Sequence, residues 1–307
     1  YDLLNEPMVP WRTPSLQARW QRWVVQRYGS LPQAAAAWKM PADAFASGTV
    51  PIPPAQEKPG DAMLLYFQRC REDVADEWTC RQVAAIKSAD SQALVTVGFI
   101  QWAVPAALPR VDLYAGFRPE RQAKYLDFLE VHFYPLERGA YEYGNPEQEQ
   151  RNLAYLEAVV REVAKPGKPV VLAEFGWHGG GSFPMGNRQS KPGTQEDQAR
   201  WCSQVVQTTS PLVVGWLNWG FYDHPQAKDV SVWTGLLTVD GQEKAWGRRF
   251  RELAGIYTKP NRPSTRLGNR PTLPWDQCLT SPRAADQFRE QYIKAFAAER
   301  TSDQSHR

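Results

Sequence analysis

Histidine, methionine and cysteine are scarce, with four of each in 307 residues. The cysteines are Cys70, Cys80, Cys202 and Cys278, and none forms a CxxC pair or a Cys/His cluster, which excludes a zinc site of the usual spacing. Cys70 and Cys80 fall on one expected helix, about 15 Å apart along its axis and too far for a disulfide. Buried free thiols are therefore expected, and the redox compartment stays open. No apolar run is long enough to cross a membrane. Neither charge sign dominates: 36 basic against 33 acidic residues give a net charge of +3, and the basic residues are scattered. Nucleic-acid binding needs a basic patch, so neither nucleic acid nor membrane is an expected partner. No Gly-rich phosphate loop follows an early strand, which argues against a dinucleotide fold.

What remains is an apolar fraction of 42% with 22% charged residues, and 13 tryptophans. Length allows one large domain, or a domain with an appendage. Apolar runs of buried-strand type fall at residues 1–5, 93–99, 126–135, 168–177 and 211–220. Helical patterns fall between them. One covers residues 15–28. A second is capped by Asp61 and carries Met63, Phe67, Cys70, Val74 and Trp78 on one face. A third opens at Asn145-Pro146 and runs to about residue 164, a fourth opens at Thr194 and Asp197, and a fifth covers 243–253. The Pro-rich stretch 39–60 reads as loop. Strands alternating with helices argue for a parallel sheet with helical crossovers, an α/β fold. About five β/α units fit between Tyr1 and Leu253, whereas a (β/α)8 barrel needs eight. The expectation is a TIM barrel of which the C-terminal five units, strands 4 to 8, are present, with three units missing before Tyr1. The rival is an open doubly wound sheet. Residues 1–255 form the barrel part on this reading. Residues 256–307 form a Pro-rich linker and a short helix with Phe288, Tyr292, Ile293 and Phe296 on one face.

In a parallel barrel all C-terminal strand ends converge on one face, and that face carries the active site. The expected strand ends supply Glu6, His132, Tyr134, Glu174 and Trp219. Two convergent carboxylates with a histidine, a tyrosine and a tryptophan suggest glycoside hydrolysis. One carboxylic acid must protonate a poor leaving oxygen, and an ionised one must meet the oxocarbenium-like centre. Each residue alone has an ordinary reading. Asn-Glu-Pro is common in turns, a lone histidine is usually satisfied in a core, and a strand-end Glu can cap the next helix. The weight rests on all of them ending strands in order.

The segments YDLLNEP, VHFYP, VVLAEFGW and GWLNWGFYD resemble the fourth, sixth, seventh and eighth strands of glycoside hydrolase clan A. The nearest shape is family 5, the cellulases and mannanases. WQRWVVQRYGSLPQAAAAW is similar to a feature of the family 42 β-galactosidases. The resemblance covers roughly residues 1–250. It implies Glu6 as acid/base and Glu174 as nucleophile. Asn5 would bind the sugar 2-hydroxyl, Tyr134 would hydrogen-bond Glu174, His132 would support the acid/base pair, and Trp219 would stack under the cleaved sugar. It implies retention of anomeric configuration, an oligo- or polysaccharide substrate, and no metal or cofactor. A polymeric substrate would place the protein in the periplasm or outside the cell. The clan's first three strands supply an Arg and often a His or Asn to the same pocket, and that segment is absent here.

Loop residues add further candidates: Trp102 after the second strand, Trp177 and His178 after Glu174, and Tyr222, Asp223 and Trp233 for outer sugar subsites. GWHGGGSFPMG reads as a mobile substrate loop. Two other functions stay open. One is a non-catalytic sugar-binding barrel. The other is a barrel enzyme holding a metal on Glu6 and His132.

Overall fold

The computed structural model describes residues 1–56, 60–137, 140–141, 145–258 and 268–305. Five parallel strands form one sheet: β1 (Asp2–Asn5), β2 (Thr96–Ile100), β3 (Leu129–Phe133), β6 (Val170–Phe175) and β9 (Gly215–Asn218). Two small antiparallel hairpins sit in loops, β4 (Leu136–Glu137) with β5 (Ala140–Tyr141), and β7 (Pro184–Met185) with β8 (Arg188–Gln189). The five strands lie side by side in sequence order. A doubly wound sheet reverses its order at a switch point, and none occurs here. The fold is an arc of a β/α barrel.

Five of the helices start at a residue whose side chain caps them. The α-helices are α1 (Pro14–Tyr28), α2 (Leu31–Ala37), α3 (Ala62–Ala89), α4 (Pro119–Gln122), α5 (Pro146–Ala164), α6 (Gln195–Thr209), α7 (Ala245–Tyr257), α8 (Trp275–Cys278) and α9 (Pro282–Ser305). Thr13, Ser30, Asp61, Asn145 and Thr194 accept backbone N–H groups at the starts of α1, α2, α3, α5 and α6. At α6 Thr194 and Asp197 close a full capping box. The short α2 had its cap and an early proline, Ser30 and Pro32, yet an apolar face of alanines gave no periodic signal.

The sheet's outer face carries Val97, Phe99, Leu129, Val131, Phe133, Val170, Leu172 and Phe175, all buried in the main core under the helices. A second core lies outside the barrel. Trp20 stacks between Trp23 and Trp38, at 5.4 and 5.8 Å, and Phe67 of α3 meets its edge. Gln17 and Gln21 of α1 each grip the extended loop 48–52 by one donated and one accepted backbone hydrogen bond, as a strand edge would. Cys70, Cys202 and Cys278 are buried free thiols, and Cys80 is exposed.

Between β2 and β3 the expected helical crossover is replaced by short turns and α4. Pro105, Pro109 and Pro119 interrupt this stretch, and each removes a backbone donor. The bare outer surface is covered from the other end of the chain: α9 packs on α5 and on Pro105–Ala107. The C-terminal helix is 24 residues long rather than short, and Ala285, Phe288, Tyr292 and Phe296 join the main core. Of the linker expected from residue 256 onward, residues 259–267 lie outside the described residues. From Gly268 onward the chain is fastened to α5. Buried Glu157 accepts Arg270 Nε at 2.7 Å, the Tyr292 hydroxyl at 2.9 Å and Arg161 Nε at 3.2 Å, while Trp275 Nε1 donates to Glu162 at 2.8 Å.

Replacing Glu157 leaves buried Arg270 with Glu299 as its remaining carboxylate. Glu157→Ala should lower unfolding stability in urea by about 3 kcal/mol and expose α9 to proteolysis before the rest. A loss below about 1 kcal/mol would show that the clamp is not what holds the tail.

Candidate active site

Glu6 directly follows β1, His132 lies in β3, Tyr134 one residue past its end, Glu174 lies in β6, and Trp219 directly follows β9. Register aligns them: His132 pairs with Ile100 on one side and Glu174 on the other, and Asn5 pairs with Gly98. From β1 to β6 there are three strand spacings, about 14 Å in a flat sheet. The curl of the sheet and the length of two glutamate side chains close this gap. One oxygen of Glu6, one of Glu174 and a ring nitrogen of His132 all lie within 4.8 Å of one another.

His132 Nδ1 sits 3.3 Å from Glu6 Oε1 and 3.4 Å from Glu174 Oε2. Ionised carboxylates only accept, so with both Glu charged Nδ1 carries the hydrogen. Burial alone would push the imidazole pKa down. The hydrogen bond to Glu6 and the charges of Glu174, Glu6 and Glu130 outweigh it and raise the value. Glu174 is 8% exposed, and burial raises its pKa. Tyr134 opposes that by donating its hydroxyl to Glu174 Oε1 at 2.7 Å, as does His132, while Glu6 adds to the rise. Beneath His132 on the same strand face, burial and the charge of Asp2 push Glu130 up to about 7.

Backbone geometry at the site is special in two places. Glu6 adopts φ 47°, a left-handed conformation uncommon outside glycine, and its N–H is held by the Gly98 carbonyl at 2.9 Å. Gly98 itself leaves room for the cluster. A Cβ there would stand 3.2 Å from His132 Cε1 and 3.3 Å from Asn5 Cα.

The tryptophans separate. Trp219 is the one exposed tryptophan, at 42%, and its Nε1 donates to Ser231. Its backbone is clasped by Asn218, whose Nδ2 reaches the carbonyls of Trp219, Gly220 and Thr234 and whose Oδ1 accepts Trp246 Nε1 at 2.7 Å. Trp177 is 2% exposed and packs among His178 and Phe183, so the structure makes it core rather than a sugar platform. Trp102 is half-buried against Leu108, Tyr114 and Leu279. Asn5 is exposed at the tip of β1.

The Gly-rich loop after Glu174 is packed, contrary to the mobile loop expected. Gly180 and Gly181 lie under Trp233 so closely that a Cβ would meet the indole at 2.9 and 3.1 Å, and Trp233 Nε1 donates to the Ser182 carbonyl. Asp223 is likewise structural: it pairs with fully buried Lys244 at 2.7 Å and accepts the Gly235 N–H. Asn218 and Gln101 are functional-site neighbours that the sequence reading passed over. Gln101 stands beside Trp102 at the end of β2, and Asn218 beside Trp219.

Glu6, His132 and Glu174 also have the donor types and spacing to hold a cation, the one such group among the described residues. The titration of the cluster gives a direct check. His132, Glu174 and Glu130 all have pKa values raised by folding, so the native state binds more protons than the unfolded chain. Their contribution to stability therefore falls as pH rises, for Glu130 from about 4.5 through about 7. Urea unfolding at pH 5 and pH 8 should show a smaller pH dependence in Glu130→Gln than in the parent, because the substitution removes the group raised to about 7 and one of the charges that raise His132. An equal dependence would show that the cluster is not proton-linked.

A family model described as cellulase, glycosyl hydrolase family 5, matches residues 53–223. The match includes His132, Tyr134, Glu174 and Trp219 and begins after Glu6. No curated protein matches the chain. Solved structures with a similar fold include a β-galactosidase from the psychrophilic Marinomonas ef1, with TM-score 0.57 and 15% identity over 79% of this chain and 36% of that one. A β-galactosidase from Rahnella sp. R3 gives TM-score 0.58 and 17% identity over 83% and 35%. The protein GH5_18 from Streptomyces cattleya, in complex with Manβ1-4GlcNAc, gives 0.53 and 19% over 73% and 55%. The chain thus spans between about a third and a half of these proteins, and at such identity the likeness is one of fold. The family match covers more than half of the chain: it belongs to the cellulase family, glycosyl hydrolase family 5.

Proposed function

We propose that this chain carries the reacting groups of a retaining glycoside hydrolase that cleaves β-glycosidic bonds in an oligo- or polysaccharide. The observation that carries this reading is the approach of Glu6 and Glu174 oxygens to within 4.8 Å, with His132 bridging them. Retaining enzymes hold their carboxyl groups about 5 to 5.5 Å apart, whereas inverting ones need about 6.5 to 9.5 Å to admit a water.

Glu174 attacks the anomeric carbon. The bond to the leaving oxygen breaks, and that oxygen takes the proton of Glu6. Glu6 then removes a proton from water, whose oxygen bonds to the anomeric carbon as the ester to Glu174 breaks. The role of Glu174 rests on Tyr134, since a donated phenol hydrogen bond favours the anion that attacks. Burial works the other way at this residue. Glu6 is more open, with a side chain 31% exposed against 10% for Glu174, as a group that must exchange protons with water requires. Trp219 supplies an exposed indole face for the apolar side of a sugar ring.

Glu174→Ala and Glu6→Ala should each reduce turnover, by about 10⁴-fold for the former and 10² to 10⁴-fold for the latter. Azide should rescue both: an azide product of inverted configuration marks the nucleophile variant, and one of retained configuration the acid/base variant. Near-normal turnover in both would end the proposal. Sugar binding without turnover in the parent would favour the binding-protein reading. Activity lost to a chelator and restored by a divalent cation would favour the metal reading.

A further inference from the structure

The contact between Tyr134 and Glu174 depends on a residue that touches neither carboxylate. Parallel pairing of β3 with β2 ends at His132, opposite Ile100, and its pairing with β6 ends at Phe133. Tyr134 lies just beyond, where no strand takes up its N–H. Pro135 follows and has no N–H with which to anchor the backbone. Alternation past His132 and Phe133 points the Tyr134 side chain back to the Glu174 side only if the chain stays extended here.

Gln101, the first residue after β2, substitutes for the missing strand. Its Oε1 accepts the Tyr134 N–H at 2.9 Å. Its Nε2 donates toward the Tyr155 hydroxyl of α5 at 3.4 Å, and Tyr155 packs edge-on against Phe133 at 5.2 Å. Gln101 and Tyr155 are both 2% exposed, so water does not replace either bond. An amide suits this place because it accepts from one side and donates to the other without burying a charge.

We propose that Gln101 is a positioning residue for the reaction: it holds the Tyr134 backbone so that the phenol stays on Glu174. This inference rests on the glycosidase reading of Glu174. Without Gln101 the Tyr134 N–H is left unpaired in a dry site, and the strand end turns to find a partner. The phenol then leaves Glu174, whose anion loses a donor.

The test is a double-mutant cycle on the active enzyme with Gln101→Leu, Tyr134→Phe and the pair. Gln101→Leu should lower kcat about tenfold, leave KM within about twofold, and move the acid limb of the kcat/KM profile to higher pH. The double variant should match Tyr134→Phe alone. Multiplying effects, or an unmoved acid limb, overturn the proposal. Tyr155→Phe removes only the outer hydroxyl and should move the limb the same way by less; it serves if Gln101→Leu does not fold. A crystal structure of either variant with the Tyr134 hydroxyl still on Glu174 also overturns it, active or not. That outcome leaves the glycosidase reading intact, which falls only if Glu174→Ala keeps turnover.

Discussion

One imidazole nitrogen shared by two carboxylates organises the candidate active face. His132 Nδ1 stands almost equally far from Glu6 and Glu174, at 3.3 and 3.4 Å. That is possible only because β1 and β6 are separated by two strands in a curved sheet, with His132 on the strand next to β6. In a flat sheet the backbones of β1 and β6 would stand about 14 Å apart, and the curl together with two long side chains closes that gap. Two negative groups this close repel, and the hydrogen between them offsets part of the repulsion while raising the proton affinity of the ring. Gly98 is part of the same constraint, because any side chain there would press on both His132 and the backbone of Asn5. The left-handed φ of Glu6 then turns its carboxylate toward the ring as the strand ends.

The layer outside the sheet is assembled from distant sequence. The α9 helix lies against Pro105–Ala107, where a crossover helix would otherwise lie, and Glu157 and Glu162 of α5 bind the chain that leads into it. The turns it covers lead directly from Gln101 to α4, so the tail helix backs the stretch that begins at the active face. The α1–α2 insertion is different in kind. Its Trp20, Trp23 and Trp38 stack with one another and with Phe67 of α3, a core of its own beside the barrel.

Strand and helix order were legible because buried parallel strands read as apolar runs and because the caps at Asp61, Asn145 and Thr194 are unambiguous side-chain chemistry. The strand-end residues followed from topology, since parallel connectivity puts every C-terminal end on one face. What could not be read were the substitutions of one element for another. Nothing local in residues 282–305 says that this helix fills a gap left after β2. The glycines at 180 and 181 read as freedom, yet they are there because Trp233 occupies the space of their side chains. Trp177 follows Glu174 closely in sequence, yet it packs against Phe183 and is buried. Gln101 and Asn218 have no signature at all, because an amide that satisfies backbone groups looks like any polar residue until its partners are in place.

These two amides show how the barrel ends its strands. At the tip of a strand the ladder stops, and the next backbone groups need partners that a dry site does not supply. Asn218 meets that need after β9 by reaching three carbonyls while Trp246 fixes its own oxygen, and Trp219 is thereby held with its face open. Gln101 meets it after β3 by accepting the Tyr134 N–H, while its own amide donates toward the Tyr155 hydroxyl. In both cases a side-chain amide, buried at Gln101 and half-buried at Asn218, fixes where the backbone of an aromatic residue past the strand end points. Side-chain caps of this kind give the backbone of Tyr134 and Trp219 hydrogen-bond partners beyond the end of the sheet, where loops usually lack them.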